Sequence, residues 1–368
     1  MITYCTNIHP GESWAETFAA LQAQVPAIRV AVAPDRPFPL GLRLSARAAE
    51  ELTADENHRI TAWLAEHDCF IPTLNGFPYG AFHGSTIKER VYLPDWRSPE
   101  RVAYTRRLAQ LLAGWLPAGI TGSISTVPVG FKTRVNAEDF AQIRENLLVV
   151  LEELERIRQE KGREIVLALE PEPCCVLETT EELIAFFERL SVPADRRDLL
   201  GICYDCCHQA VEFEDPLRSL ALLAEAGIRI AKVQVSSALR LVDPMRERLA
   251  PFAESCYLHQ VVIRRPDGTL IRYPDLPEAL SRHRGGAGEE WRCHFHVPIF
   301  LETAGEVGTT RAFLEQILSK VPADILREIE TYTWEVLPPQ LRTATVTESL
   351  IREFRWLEER MPCSAPSS

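Results

Sequence analysis

The run Ile165-Val-Leu-Ala-Leu169 is apolar throughout, and Glu170-Pro-Glu-Pro173 ends it abruptly. A short apolar run without alternation fits a strand buried on both faces, as in a parallel sheet covered by helices. The two prolines remove backbone donors, so the ladder cannot continue past the carboxylate. The pattern recurs in Leu199 to Asp205, in Ile228 to Gln234 and in Thr331 to Glu335. Each run ends in a side chain that offers an oxygen. Segments of helical period separate the runs, and strands alternating with helices specify a parallel sheet.

The rest of the chain keeps this rhythm. Strands are predicted over Ile2–Ile8, Leu42–Ser45, Cys69–Leu74, Ile120–Val127, Leu200–Tyr204 and Ile230–Val235. Helices are predicted over Glu12–Gln24, Ala46–His67, Asn136–Lys161, Thr180–Leu190, Pro216–Ala226, residues 310 to 320 and Glu348–Glu359. A further helix runs to Trp115, with Ser98 as its N-cap and Pro99 in its first turn. No G-x-G-x-x-G or phosphate loop follows any strand, which disfavours an open nucleotide-binding sheet. The expected fold class is therefore α/β, a TIM (β/α)8 barrel, which needs about 250 residues of the 368 present.

The rhythm fails once, between Gln234 and Glu335, where the chain is far longer than the roughly 30 residues of one unit. The excess contains two β-rich runs, Tyr257–Ile263 and Leu270–Tyr273, flanking the Asp267-Gly268 turn of a hairpin. The expectation is a single barrel domain over 1–361, with an insertion at about 242–298 covering the mouth. Residues 362–368 read as a disordered tail.

The formal net charge of −12 and the lack of a long basic run argue against a nucleic-acid partner and against docking on anionic membrane. No signal peptide and no apolar stretch of about 18 residues appears, so the protein reads as cytoplasmic, without direct membrane insertion. A small-molecule substrate is the expected partner, and a homo-oligomer is compatible with this composition. The ten cysteines are scattered, as small buried apolar residues are. The pair Cys203 and Cys206 forms a C-x-x-C, but the second pair of a structural zinc site is missing.

At the C-terminal face of a barrel, strand-end side chains converge. One carboxylate there would read as a helix cap or an ion-pair partner. Glu170, Asp205 and Glu335 at matched positions, with Gln234 as a fourth, read as ligands of one divalent ion. His208 follows Asp205 by three residues and is either a ligand or a substrate contact. His294 and His296 share one face of a strand, and His296 is the better placed to complete the shell, leaving His294 for substrate. Asn7, His9, Asn75, His83 and Lys132 lie in the loops after the early strands, where substrate hydroxyls, phosphates or carboxylates would bind.

The succession Glu170, Asp205-x-x-His208 and Glu335 resembles the xylose-isomerase-like barrel superfamily of sugar isomerases, epimerases and type IV apurinic endonucleases. In its epimerases, a Glu, an Asp, a His and a second Glu bind one divalent metal (Mn, Mg, Zn or Co). The two Glu residues also move the proton beside the substrate carbonyl. The resemblance implies that Glu170 and Glu335 are catalytic and that Gln234 replaces the family's histidine. More closely, Thr3-Tyr-Cys-Thr-Asn-Ile-His-Pro-Gly-Glu-Ser-Trp14, Leu169-Glu-Pro-Glu-Pro173, Tyr204-Asp-Cys-Cys-His208 and Thr333-Trp-Glu-Val336 resemble the EboE-type metabolite traffic family. That likeness implies a place in secondary-metabolite biosynthesis or export, and together the two likenesses imply a metal-dependent isomerase or epimerase of a sugar- or cyclitol-like molecule. Two other readings stand beside it: a non-catalytic metabolite carrier, and a metal-dependent phosphoester hydrolase.

Overall fold

Seven β/α units run in the expected order before the chain departs from the barrel. The strands are β1 (Ile2–Tyr4), β2 (Phe38–Arg43), β3 (Cys69–Asn75), β4 (Gly122–Thr126), β5 (Ile165–Leu169), β6 (Leu200–Asp205) and β7 (Arg229–Val235). An inserted set follows: β8 (Leu239–Val242), β9 (Val261–Arg264), β10 (Leu270–Tyr273), β11 (Glu290–Cys293), β12 (Thr303–Ala304) and β13 (Val307–Thr309). The last barrel strand is β14 (Leu326–Ile329). This computed structural model describes every residue except 85, 243–244, 343 and 362–368, so the expected tail lies outside the described residues.

The eight barrel strands are all parallel, in the order β1-β14-β7-β6-β5-β4-β3-β2. A bridge between Cys5 and Gly41 brings the two ends together, giving a nearly closed TIM barrel. Helix starts are chemically marked. Ser13, Thr179 and Thr345 each form a reciprocal capping box with the Glu three residues on. Ser98 caps the helix Pro99–Trp115, as its sequence predicts. The predicted helix Ala46–His67 is two helices, Ala46–Glu51 and Ala54–Glu66, because the Thr53 side chain caps a new start.

Period-two alternation puts the odd residues of β7 against the surrounding helices and Lys232 and Gln234 inside the barrel. The interior is consequently polar. Lys232 pairs with Glu328 of β14, both fully buried. A Cβ on Gly41 of β2 would overlap the Glu328 carboxylate, so glycine leaves the room this pair occupies.

The insertion is wider than the expected 242–298, since its sheet begins at Leu239 and ends at Thr309. It forms a six-stranded sheet in the order β10-β9-β11-β8-β13-β12, with antiparallel pairings. The predicted hairpin is β9–β10. Leu239, Leu241, Val261, Ile263, Trp291 and Phe295 give this sheet its own core. It docks beside the barrel mouth, where the Val297 amide donates to the Ser237 carbonyl.

The last helix, Val346–Glu358, is tied to the mouth by a buried carboxylate. Glu353 Oε2 accepts from the Ile299 amide (3.1 Å) and the Thr331 hydroxyl (2.7 Å). Burial raises its pKa to about 7, above the value of an unfolded Glu, about 4.3. The folded state therefore binds the extra proton, and stability falls as pH rises through that window. Glu353→Gln keeps both acceptor bonds without the charge. It should flatten the melting-temperature profile between about pH 4.3 and 7, and raise the melting temperature at pH 8. A profile identical to wild type would refute this role.

Candidate metal centre and substrate cavity

Three carboxylates meet at the C-terminal mouth, each placed by the end of a barrel strand. Glu170 follows β5, Asp205 ends β6 and Glu330 follows β14. All three are buried, and their ligand oxygens lie within 4.8 Å of one another. Asp205 Oδ1 accepts from the His208 amide (2.9 Å) and the Ser236 hydroxyl (2.8 Å). Glu330 Oε1 accepts from Asn7 (2.8 Å) and Asn75 (3.2 Å).

The predicted Glu335 is not among them. It stands exposed on the turn Tyr332–Val336, because β14 ends at Ile329, six residues before it. Its place at the last strand tip belongs to Glu330. Sequence reading missed this residue because Leu326-Arg-Glu-Ile329 does not look like a buried strand. Arg327 points outward and caps the Val321 and Pro322 carbonyls (2.8 and 3.2 Å), while Glu328 points inward to Lys232. The usable signal was the spacing of Glu328 and Glu330, which puts both on one strand face.

The donor set fits an oxygen-seeking divalent ion. Glu170 Oε2, Asp205 Oδ2 and both polar atoms of the Gln234 amide are buried without a hydrogen-bond partner among the described residues. Orphaned buried polar atoms are costly unless something satisfies them. Here the orphans converge: Gln234 is in register with Asp205 on one side and with Glu328 on the other. Burial, with Glu170 and Asp205 nearby, holds the Glu330 carboxyl well above the usual range. Burial also raises Glu170, and Asp205 adds to it. For Asp205 itself burial acts upward, but the neighbouring His208 and His296 and the two hydrogen bonds outweigh it, so it lies below its ordinary value.

Above the carboxylates lies a cavity of about 50 Å³. Glu170, Glu172, Glu330, His208 and His294 give it a polar floor, and Phe77, Phe82, Ile87, Tyr257 and Tyr332 an apolar wall. Asn7 and Asn75 line it while holding Glu330. The three histidines of the mouth adjoin one another. His294 Nε2 is 3.1 Å from both His208 Nε2 and His296 Nε2. Other expected substrate contacts are committed elsewhere. His9 bonds Tyr4 (3.1 Å), and His83 joins the Asn7 carbonyl (2.6 Å) to the Tyr257 hydroxyl (2.7 Å). Lys132 is tied to Glu178 and Glu182. None of these three lines the cavity.

Glu172, Tyr92 and Gln260 form a support that sequence reading did not assign. Gln260 Nε2 donates to Glu172 (3.0 Å) and Tyr92 (2.7 Å), while its Oε1 accepts from His294 Nδ1 (2.6 Å). Gln260→Leu would leave the His294 Nδ1 unpaired and the Glu172 carboxylate with the Tyr92 hydroxyl (2.6 Å) in place of two donors. A cost of about 1–3 kcal/mol is expected, read by denaturant unfolding, and no measurable cost would show that the network relaxes freely.

No family model and no curated protein matches this sequence. Solved structures do match. A xylose isomerase-like TIM barrel protein from Mycobacterium smegmatis in complex with magnesium aligns with a TM-score of 0.55 at 10% identity, covering 98% of this chain and 95% of that one. A xylose isomerase domain protein from Planctomyces limnophilus gives 0.52 at 14%, covering 98% and 95%. D-allulose 3-epimerase from Methylomonas sp. in complex with D-allulose gives 0.52 at 12%, covering 98% and 96%. The fold is xylose-isomerase-like. At these identities the likeness extends to the fold alone.

Proposed function

We propose that this protein is a metal-dependent isomerase or epimerase of a sugar- or cyclitol-like small molecule. The observation that carries the proposal is the convergence of Glu170, Asp205 and Glu330, with unpartnered buried atoms on Glu170, Asp205 and Gln234, next to a cavity that Glu170 and Glu330 line. Glu170, Asp205 and Glu330 would hold the ion, with Gln234 as a fourth donor. A divalent ion bound there supplies a Lewis acid for a substrate carbonyl.

Glu170 and Glu330 then serve as the proton-transfer pair. One of the two carboxyls gives a proton while the other takes one. Asn7 and Asn75 fix Glu330 through a single oxygen, leaving its other oxygen free to act. The aromatic wall limits water at the reacting carbon. In support, structures with this fold include D-allulose 3-epimerase and an L-ribulose 3-epimerase. The motifs Thr3 to Trp14 and Tyr204 to His208 further favour the EboE-type family, and with it a cytoplasmic role in making or exporting a secondary metabolite.

The test is incubation of the metal-supplemented protein in heavy water with a panel of ketoses, cyclitols and their phosphates, read by NMR. Deuterium should enter one carbon-bound position of a true substrate. A ligand that binds tightly and is recovered unchanged and unexchanged would replace this reading with that of a carrier.

A further inference from the structure

The hydrogen bonds of the three histidines at the mouth cannot all be satisfied by protons. His208, His294 and His296 are 4%, 3% and 0% exposed. Each Nδ1 faces an oxygen that can only accept: the Pro171 carbonyl (2.9 Å), Gln260 Oε1 (2.6 Å) and the Glu330 carbonyl (2.8 Å). The Gln260 amide is not free to flip, because its nitrogen donates to the Glu172 carboxylate and the Pro173 carbonyl, both at 3.0 Å. All three Nδ1 atoms therefore carry the proton, and in the neutral ring Nε2 is a bare lone pair.

Those lone pairs point at one another, with His294 Nε2 at 3.1 Å from both neighbours. A proton on His208 would satisfy one of the two contacts and leave the other. The Tyr332 hydroxyl, 3.3 Å away, competes for the same His294 nitrogen. A cation answers all three at once. Imidazole nitrogens at about 2.0–2.1 Å from a tetrahedral zinc lie roughly 3.3 Å apart, close to the 3.1 Å between His294 Nε2 and each of its two neighbours. Nδ1–H donated to a carbonyl is also the usual way a ligating histidine is oriented.

We propose that His208, His294 and His296 form a three-imidazole site for a borderline divalent cation of the zinc or cobalt class, additional to the oxygen-donor site. It uses none of Glu170, Gln234 and Glu330, and so stands or falls separately from the isomerase reading. His208 and His294 line the cavity, so the open coordination position faces a substrate oxygen, a hydroxyl or a carboxylate. Asp205 Oδ2, 3.8 Å from His208 Nε2, supplies a nearby negative charge.

The experiment uses the full chain, stripped with a chelator and reloaded with zinc or with cobalt. Wild type should take up two equivalents, and the cobalt form should show the intense visible absorption of a four-coordinate ion. His294→Ala should lose that absorption and one equivalent, while Glu170→Ala/Glu330→Ala should keep the absorption and lose the other. Uptake at the imidazoles alone would leave this site standing and remove the carboxylate one. Full uptake and unchanged absorption in His294→Ala would overturn the assignment. Should a variant not fold, X-ray absorption of the zinc-saturated wild type decides. Imidazole scattering at about 2.0–2.1 Å supports the site, whereas an all-oxygen shell, or a sulfur at about 2.3 Å from the adjacent Cys207, refutes it.

Discussion

Glu330→Gln should bind substrate yet exchange its carbon-bound hydrogen about 10²–10⁴ times more slowly, whereas Glu335→Gln should run at the wild-type rate. The two residues are five apart in sequence but in different chemical worlds. Glu330 is buried, held by two asparagine amides and packed against the other two carboxylates. Glu335 is exposed on a turn, and its backbone carbonyl, not its carboxylate, takes the Arg342 bond (3.2 Å). An amide at position 330 can still coordinate through oxygen and accept from Asn7, but it cannot carry the proton. Deuterium incorporation measured for both variants separates the two sites. Equal losses, or a loss confined to Glu335→Gln, would return the catalytic role to the residue that the sequence pattern favours.

Lys232→Met should lower unfolding stability by about 3–5 kcal/mol, the usual cost of stranding one member of a buried ion pair. Lys232 and Glu328 are both fully buried beneath the carboxylate floor. Glu328 Oε1 has no other partner among the described residues, so removing the ammonium leaves the carboxylate uncompensated. The double variant Lys232→Met/Glu328→Leu should recover much of the loss, because well-packed apolar pairs often match buried ion pairs in stability. Denaturant unfolding of the single and double variants gives the coupling directly. A single variant less than about 1 kcal/mol below wild type would mean that the pair behaves as if solvated.

Much of this protein was legible in its residues. The strand Ile165–Leu169 and the helices Pro99–Trp115 and Thr180–Leu190 fall where periodicity, capping and proline place them. Glu170 and Asp205 follow from strand ends, since the residue after an apolar parallel strand must emerge at the C-terminal face. Other features depended on contacts distant in the chain. Whether Leu326-Arg-Glu-Ile329 is a strand turns on Arg327 finding carbonyls at the end of the preceding helix and Glu328 finding Lys232 across the barrel. No local pattern carries that information. Asn7 and Asn75 read as substrate contacts until Glu330, more than 250 positions away in chain order, claims both amides. Gln260 comes from an inserted hairpin and orients His294, while the Glu330 carbonyl orients His296. Local sequence thus determined the barrel and two of its three carboxylates, through strand and helix periods that need only near neighbours. The third carboxylate and the imidazole cluster were decided by the tertiary structure, because buried polar groups take their roles from partners that the fold alone brings within hydrogen-bonding distance.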